Sequence, residues 1–279
     1  MNAPAPKKPS EVRAWCEANG FHPNKTLGQN FLIDGNVSAA IAADASLGAG
    51  DNVLEIGPGL GALTDTILAT GAKVTAVEKD EALFNLLMST RASVSGLTLV
   101  CGDALRVVTD DFLAANGFTA LVSNLPYSVG TRILLDVCRS RYAPASCTVM
   151  VQKEVADRFA AAPGSPARGQ AGVWVQRRYD VKVTRIVPPT CFWPRPEVSS
   201  AVVRLAAHDR LMLADGEART FERITKLAFS HRRKQMASIF KAPEWIESAG
   251  LNPRVRPEEI TNEQWCELAK TCKLEGLAN

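Results

Sequence analysis

The run Ser123-Asn124-Leu125-Pro126-Tyr127 closes an apolar, β-branched-rich segment and holds the side chains best suited to chemistry in this 279-residue chain. The tetrapeptide Asn124–Tyr127 matches what methylation of an exocyclic amine demands. The N6 amine of adenine is a poor nucleophile because its lone pair is delocalised into the ring. A catalyst must hold such an amine with acceptors that favour a pyramidal nitrogen. The amide oxygen of Asn124 and the backbone carbonyl of Leu125 supply two. Pro126 fixes the turn, and Tyr127 offers a flat face for a flipped base, with π density near the developing positive charge. No general base is needed, since the methylated amine becomes acidic once cationic and loses its proton to water. A sulfonium methyl donor supplies the driving force without a metal.

Three upstream sites describe a ligand. Val53-Leu54-Glu55-Ile56-Gly57-Pro58-Gly59-Leu60-Gly61 reads as a strand running into a glycine-rich turn and then a helix. Glycine permits the tight bend and the close approach of a ligand, and the helix N-terminus offers free N–H groups. Glu78 ends the next strand, 21 residues after Gly57, where a carboxylate can accept both hydroxyls of a ribose. Gly102-Asp103-Ala104 ends the third; Asp103 can receive the exocyclic amine of an adenine, and it would equally serve as a helix N-cap. Dinucleotide enzymes use a near-identical glycine turn, so NAD and S-adenosylmethionine satisfy these sites alike. Asn124–Tyr127 decides for the methyl donor.

The elements that must position these residues are legible as alternation. Asn52–Ile56, Lys73–Val77, Leu97–Cys101, Thr119–Ser123 and Cys147–Val151 are strand-like, with helix-length segments near Ala62–Thr70, Glu81–Ser93 and Thr131–Arg139. That order implies an α/β fold with a mostly parallel, Rossmann-like sheet. Val181–Val187 and Ser199–Leu205 have only proline-rich chain between them and read as an antiparallel pair closing the sheet edge. Ser10 is expected to cap a short helix ending at Gly20, and Asp34 another running to about Ser46. From Phe221 the apolar period is helical. The expected organisation is a tail and short helix at 1–24, a methyltransferase domain at 25–208 and a helical RNA-binding domain at 209–279.

Composition sets the limits: 46% hydrophobic, 22% charged and 6% aromatic residues exclude disordered, fibrous and membrane-spanning classes. The seven cysteines are odd in number, scattered and lack a C-x-x-C pair. They read as buried thiols in a reducing compartment, not as a disulfide framework or zinc site. The three histidines show no ligand spacing, and Met1–Ser10 lacks the apolar run of a signal peptide. A cytoplasmic protein without metal or membrane is expected. Net charge is +3, but the segment from Arg158 to Arg204 carries +6, leaving −3 for the rest, which suits a polyanionic partner. Lys153 and Glu154 read as a charge pair at a helix start.

Six motifs in order resemble the ribosomal RNA adenine dimethyltransferases that act on the small subunit, the KsgA/RsmA family. They are Leu27-Gly28-Gln29-Asn30-Phe31-Leu32, Glu55 to Thr64, Asn124–Tyr127, Gln152-Lys153-Glu154-Val155-Ala156, Phe192-x-Pro194-x-Pro196-x-Val198 and Phe229-Ser230-His231-Arg232-Arg233-Lys234, spread from about Lys25 to Leu268. The resemblance implies transfer of methyl groups from S-adenosyl-L-methionine to N6 of two adjacent adenosines near the 3′ end of small-subunit rRNA, by a monomer acting on an assembling particle. It implies cofactor contacts at Asn30, Leu32, Gly57, Gly59, Glu78, Asp103 and Asn124. The catalytic group would be Asn124, Leu125, Pro126 and Tyr127, with Phe192 as a second aromatic wall. Arg195, Arg232, Arg233 and Lys234 would meet RNA. His231 and Trp193 depart from the usual family pattern, which often has glutamine before R-R-K and F-F-P-P-P around the wall. Two rivals share the fold: a macrolide-resistance-type methyltransferase of the large subunit and a non-catalytic ribosome-assembly or transcription factor. The full-length match and the R-R-K helical region favour small-subunit rRNA, and joint retention of Asn30, Gly57, Glu78, Asp103, Asn124 and Tyr127 favours catalysis. A DNA adenine methyltransferase would need a sequence-reading domain larger than the helical C-terminus allows.

Overall fold

The computed structural model describes residues 8–23 and 28–274. Leu27 of the first motif lies outside them. Among the described residues there are nine strands: β1 (Phe31–Leu32), β2 (Asn52–Ile56), β3 (Lys73–Glu78), β4 (Leu97–Cys101), β5 (Ala120–Asn124), β6 (Ser146–Gln152), β7 (Tyr179–Val187), β8 (Phe192–Trp193) and β9 (Ser200–Ala207). Seven form one sheet in the order β4-β3-β2-β5-β6-β9-β7. β2 to β6 pair in parallel, and β9 runs antiparallel to β6. At the edge, His208 N–H donates to the Arg178 carbonyl and Thr184 Oγ1 reaches the Val202 carbonyl, a descending register consistent with the expected antiparallel partner. The remaining two strands, β1 and β8, form a separate antiparallel ribbon pairing Leu32 with Phe192.

Parallel strands covered on both faces need continuous apolar runs, and Val53, Leu54, Val74, Ala76, Leu121, Val122 and Val149 are all at most 1% exposed. Capping residues start the helices where the strand ends require them. Asp34 accepts from the N–H groups of Asn36 and Val37, and Asp80 from those of Ala82 and Leu83. Ser10 does not play this part. The helix Pro9–Ala18 is preceded by Lys8 with no side-chain cap, and Pro9 occupies the first turn, where its missing N–H has no partner to lose.

The chain divides into two compact units. One holds the described residues up to Ala156 together with Lys182–Ala206; the other holds Asp157–Val181 with the described residues from Ala207 onward. The sequence expectation keeps 157–181 with the domain at 25–208, whereas here these residues group with the described residues from Ala207 onward. Arg168 gives the physical reason. It is fully buried and donates to the carbonyls of Ala161 and Ile260 and to the side-chain oxygens of Gln176 and Asn262. Buried donors of this kind must be satisfied, so the excursion is fastened to residues near 260. The same unit packs Val173, Phe221, Ile224, Trp245, Ile246, Trp265 and Leu268 into its own apolar core.

Candidate active site

At the carboxyl end of the parallel strands the first unit encloses a cavity lined from every motif of the nucleotide reading. Its wall includes Asn30, Leu32, Gly57, Gly59, Glu78, Asp103, Asn124, Leu125, Pro126 and Tyr127. Ligands of open α/β sheets bind at this end, in the crevice where strand order reverses. β2 and β5 flank that point, and Ser123 Oγ ties them by donating to the Ile56 carbonyl (2.6 Å).

The glycine turn is built for close approach. Gly57, Gly59 and Gly61 have φ of +66°, +58° and +85°, the left-handed region that side chains disfavour. A Cβ on Gly59 would stand 3.1 Å from the Phe31 ring. The Gly59 N–H donates to Glu78 Oε2 (3.1 Å), and Glu78 Oε1 accepts from the Asp80 N–H (2.9 Å). Glu78 is 6% exposed, and this burial raises its carboxyl above the ordinary range. Asp103 serves as the helix cap, with Oδ1 accepting the Leu105 N–H, while Oδ2 pairs with Lys79 Nζ at 2.8 Å. That lysine holds its carboxyl below the usual range.

Asn124 ends β5, and the Leu125 N–H continues the pairing by donating to the Met150 carbonyl. The Pro126 carbonyl accepts the Gly130 N–H at 2.7 Å, closing the turn that starts the helix Gly130–Arg139. Asn124 Nδ2 donates to the Asn30 carbonyl (3.3 Å), whereas its Oδ1 is buried without a hydrogen-bond partner. A buried, unpaired carbonyl oxygen is costly, and the residue that carries this one lines the cavity. Burial raises the phenol of Tyr127, whose hydroxyl is hydrogen-bonded to Ser200 Oγ. The Cβ-free backbone, the buried glutamate and Asn124 stand around one cavity, an arrangement that a nucleoside cofactor would fit.

Other residues fall elsewhere. Phe192 does not line the cavity. It is 3% exposed, paired with Leu32 and packed among Leu32, Ile41 and Val202, so the second aromatic wall is not formed by its ring at this surface. Arg195 is exposed, as are Arg233 and Lys234 beyond the helix Asp215–Ser230. Arg232 is half-buried, donates to the Pro166 carbonyl and stands 3.9 Å from Glu258. Within the basic segment Arg168 is buried and Arg185 is paired with Asp44 at 2.6 Å, so the charge count overstates the field available to a polyanion. Six cysteines are buried, as expected, but Cys101 is exposed at the end of β4.

Glu55 is the site residue that the sequence reading passed over, although a carboxylate inside an apolar strand is itself a signal. It is 1% exposed, lines the cavity, and accepts from Thr64 Oγ1 at 2.7 Å. Burial pushes its carboxyl up to about 8, reinforced by Asp65 and Glu78 and opposed by Thr64 and Arg91. An unfolded glutamate ionises near 4.5, so between there and about 8 the folded chain holds a proton that the unfolded chain has lost. Stability from this group is full below about 4.5 and gone once pH passes about 8. At ~1.4 kcal/mol per pKa unit the effect is on the order of a few kcal/mol. Glu55→Gln, which keeps an acceptor for Thr64, is expected to flatten the fall in melting temperature between pH 5 and 8.5. Parallel curves for both proteins would mean that Glu55 is ionised in the fold.

Comparison with known proteins agrees with this geometry. Residues 20–273 match the family model described as ribosomal RNA adenine dimethylase. A ribosomal RNA small subunit methyltransferase A from Phenylobacterium zucineum is 44% identical over 255 residues, 89% of this chain and 88% of the relative. Among solved structures, a dimethyladenosine transferase from Plasmodium falciparum superposes with a TM-score of 0.70 at 21% identity, over 84% of this chain and 94% of that one. The 23S rRNA methyltransferase ErmE gives 0.62 at 25% identity, over 87% and 99%. The structural likenesses carry the methyltransferase fold, and the near-complete sequence match carries the family: the chain belongs to the ribosomal RNA adenine dimethylases.

Proposed function

We propose that this protein transfers methyl groups from S-adenosylmethionine to N6 of two adjacent adenosines near the 3′ end of small-subunit rRNA, giving N6,N6-dimethyladenosine. The observation that carries the reading is one cavity lined together by Asn124, whose buried Oδ1 has no partner, and by Glu78, the glycine turn and Tyr127. In this reading Glu78 accepts the ribose hydroxyls, Asp103 receives the adenine amine, and Gly57, Gly59, Asn30 and Leu32 cradle the rest of the cofactor. The bound cofactor supplies an electrophilic methyl group on a sulfonium. Asn124 Oδ1 and the Leu125 carbonyl accept the two N–H bonds of the target amine and turn its lone pair out of the base plane. The Tyr127 ring stacks on the flipped base. After each transfer the cationic nitrogen gives a proton to water. The amine then has one N–H fewer, so the second methyl addition relies on a single acceptor.

Arg233, Lys234 and Arg195 provide phosphate contacts on the rRNA of an assembling particle, and the protein acts as a cytoplasmic monomer. Arg232, already bound to Pro166 and close to Glu258, contributes less. Each lost phosphate contact lowers the log–log salt slope of binding by roughly 0.7–0.9. Charge reversal at Arg233 and Lys234 together is expected to lower it by about 1.4–1.8. An unchanged slope in a salt titration of subunit binding would mean that these side chains merely face solvent.

Substrate class is tested by offering labelled methyl donor with under-methylated small subunits, naked small-subunit rRNA, large subunits and DNA. Label is expected in small-subunit rRNA. Incorporation into large-subunit RNA alone would favour the activity named for ErmE.

A further inference from the structure

The proposed mechanism uses the ring of Tyr127 and leaves its hydroxyl unassigned. That hydroxyl is hydrogen-bonded to Ser200, a fully buried residue and the first of β9, opposite Gln152 at the end of β6. Because β9 runs against β6, it begins at the end of the sheet where the parallel strands finish, the end at which Asn124–Tyr127 leave β5. The backbone of Tyr127 is hemmed in as well. A Cβ on Gly28 would come within 3.2 Å of the Tyr127 and Ser128 nitrogens, and the Pro126 carbonyl is fixed by Gly130. A tyrosine ring has only two side-chain torsions, the second of them broad. Holding the backbone at one end and the hydroxyl at the other removes that breadth.

We propose that Ser200 is a positioning residue, holding the Tyr127 hydroxyl and thereby setting the plane of the ring on which the target base stacks. The inference rests on the stacking role given to Tyr127 above. Ser200 touches no substrate; its effect on the reaction passes through Tyr127. A serine that merely satisfied a buried hydrogen bond would change stability and leave turnover alone. A positioning serine changes turnover, because a ring free to rock presents the base in the productive pose less often.

The test is a double-variant cycle on the full chain with small subunits as substrate. Ser200→Ala and Tyr127→Phe are each expected to lower kcat by about threefold to tenfold, the range of one hydrogen bond, with KM for the subunit and affinity for the cofactor near wild type. The double variant should be no slower than the slower single variant, since both remove the same bond. Wild-type turnover by Ser200→Ala, or losses that multiply in the double variant, would overturn the proposal. Tyr127→Ala separates the two levels. If it turns over normally, the stacking role falls and the inference with it. If it is severely slowed while the hydroxyl variants fail to couple, only the part given to Ser200 falls.

Discussion

Asn124→Ala is expected to slow single-turnover methyl transfer by about a hundredfold or more at saturating cofactor, with subunit binding close to wild type. Losing a positioned acceptor commonly costs this much, because the amide does its work by orienting one amine. Asn124 is suited to that work by its own restraint: Nδ2 is engaged by the Asn30 carbonyl, which directs the unpaired Oδ1 to the other side of the amide. Alanine removes both contacts and leaves the Leu125 carbonyl as sole acceptor. The interface with RNA is large and electrostatic and gains little from one amide. A near-normal rate for Asn124→Ala would remove the proposed mechanism.

The second large effect is on the cofactor. Glu78→Ala is expected to weaken S-adenosylmethionine binding by at least about a hundredfold, since a charge-assisted hydrogen bond is worth ~1.5–3 kcal/mol and two are lost. The structure adds a second cost. Glu78 also accepts the N–H groups of Gly59 and Asp80, so truncation strips two backbone donors and loosens the glycine turn. A lower melting temperature should therefore accompany the weaker binding, by about 1–3 kcal/mol of stability. Calorimetric titration reads the affinity, and unchanged affinity would place Glu78 outside the cofactor site.

Much of the frame was legible because short-range rules govern it. The five parallel strands follow from apolar runs, and Asp34 and Asp103 cap helices through their own neighbours. The cavity residues were legible because backbone-approach glycines and strand-end carboxylates recur at fixed spacing. What escaped depends on partners distant in sequence. Arg168 reads as one more surface charge until residues 260 and 262 close over it, and the same closure draws 157–181 into the helical unit. Phe192 was expected at the site from its motif alone, whereas the two-residue ribbon with Leu32 turns it into the core. Ser200 has no local signature at all; its meaning comes from antiparallel pairing with β6.

The most direct measurement digests RNA from under-methylated small subunits to nucleosides after incubation with the protein and S-adenosylmethionine, and identifies the products by mass spectrometry with mapped positions. The expected result is N6,N6-dimethyladenosine at two adjacent positions near the 3′ end, formed by the wild-type chain and absent with Asn124→Ala. Methylation of ribose or of a pyrimidine, or dimethyladenosine at equal yield from Asn124→Ala, would contradict it.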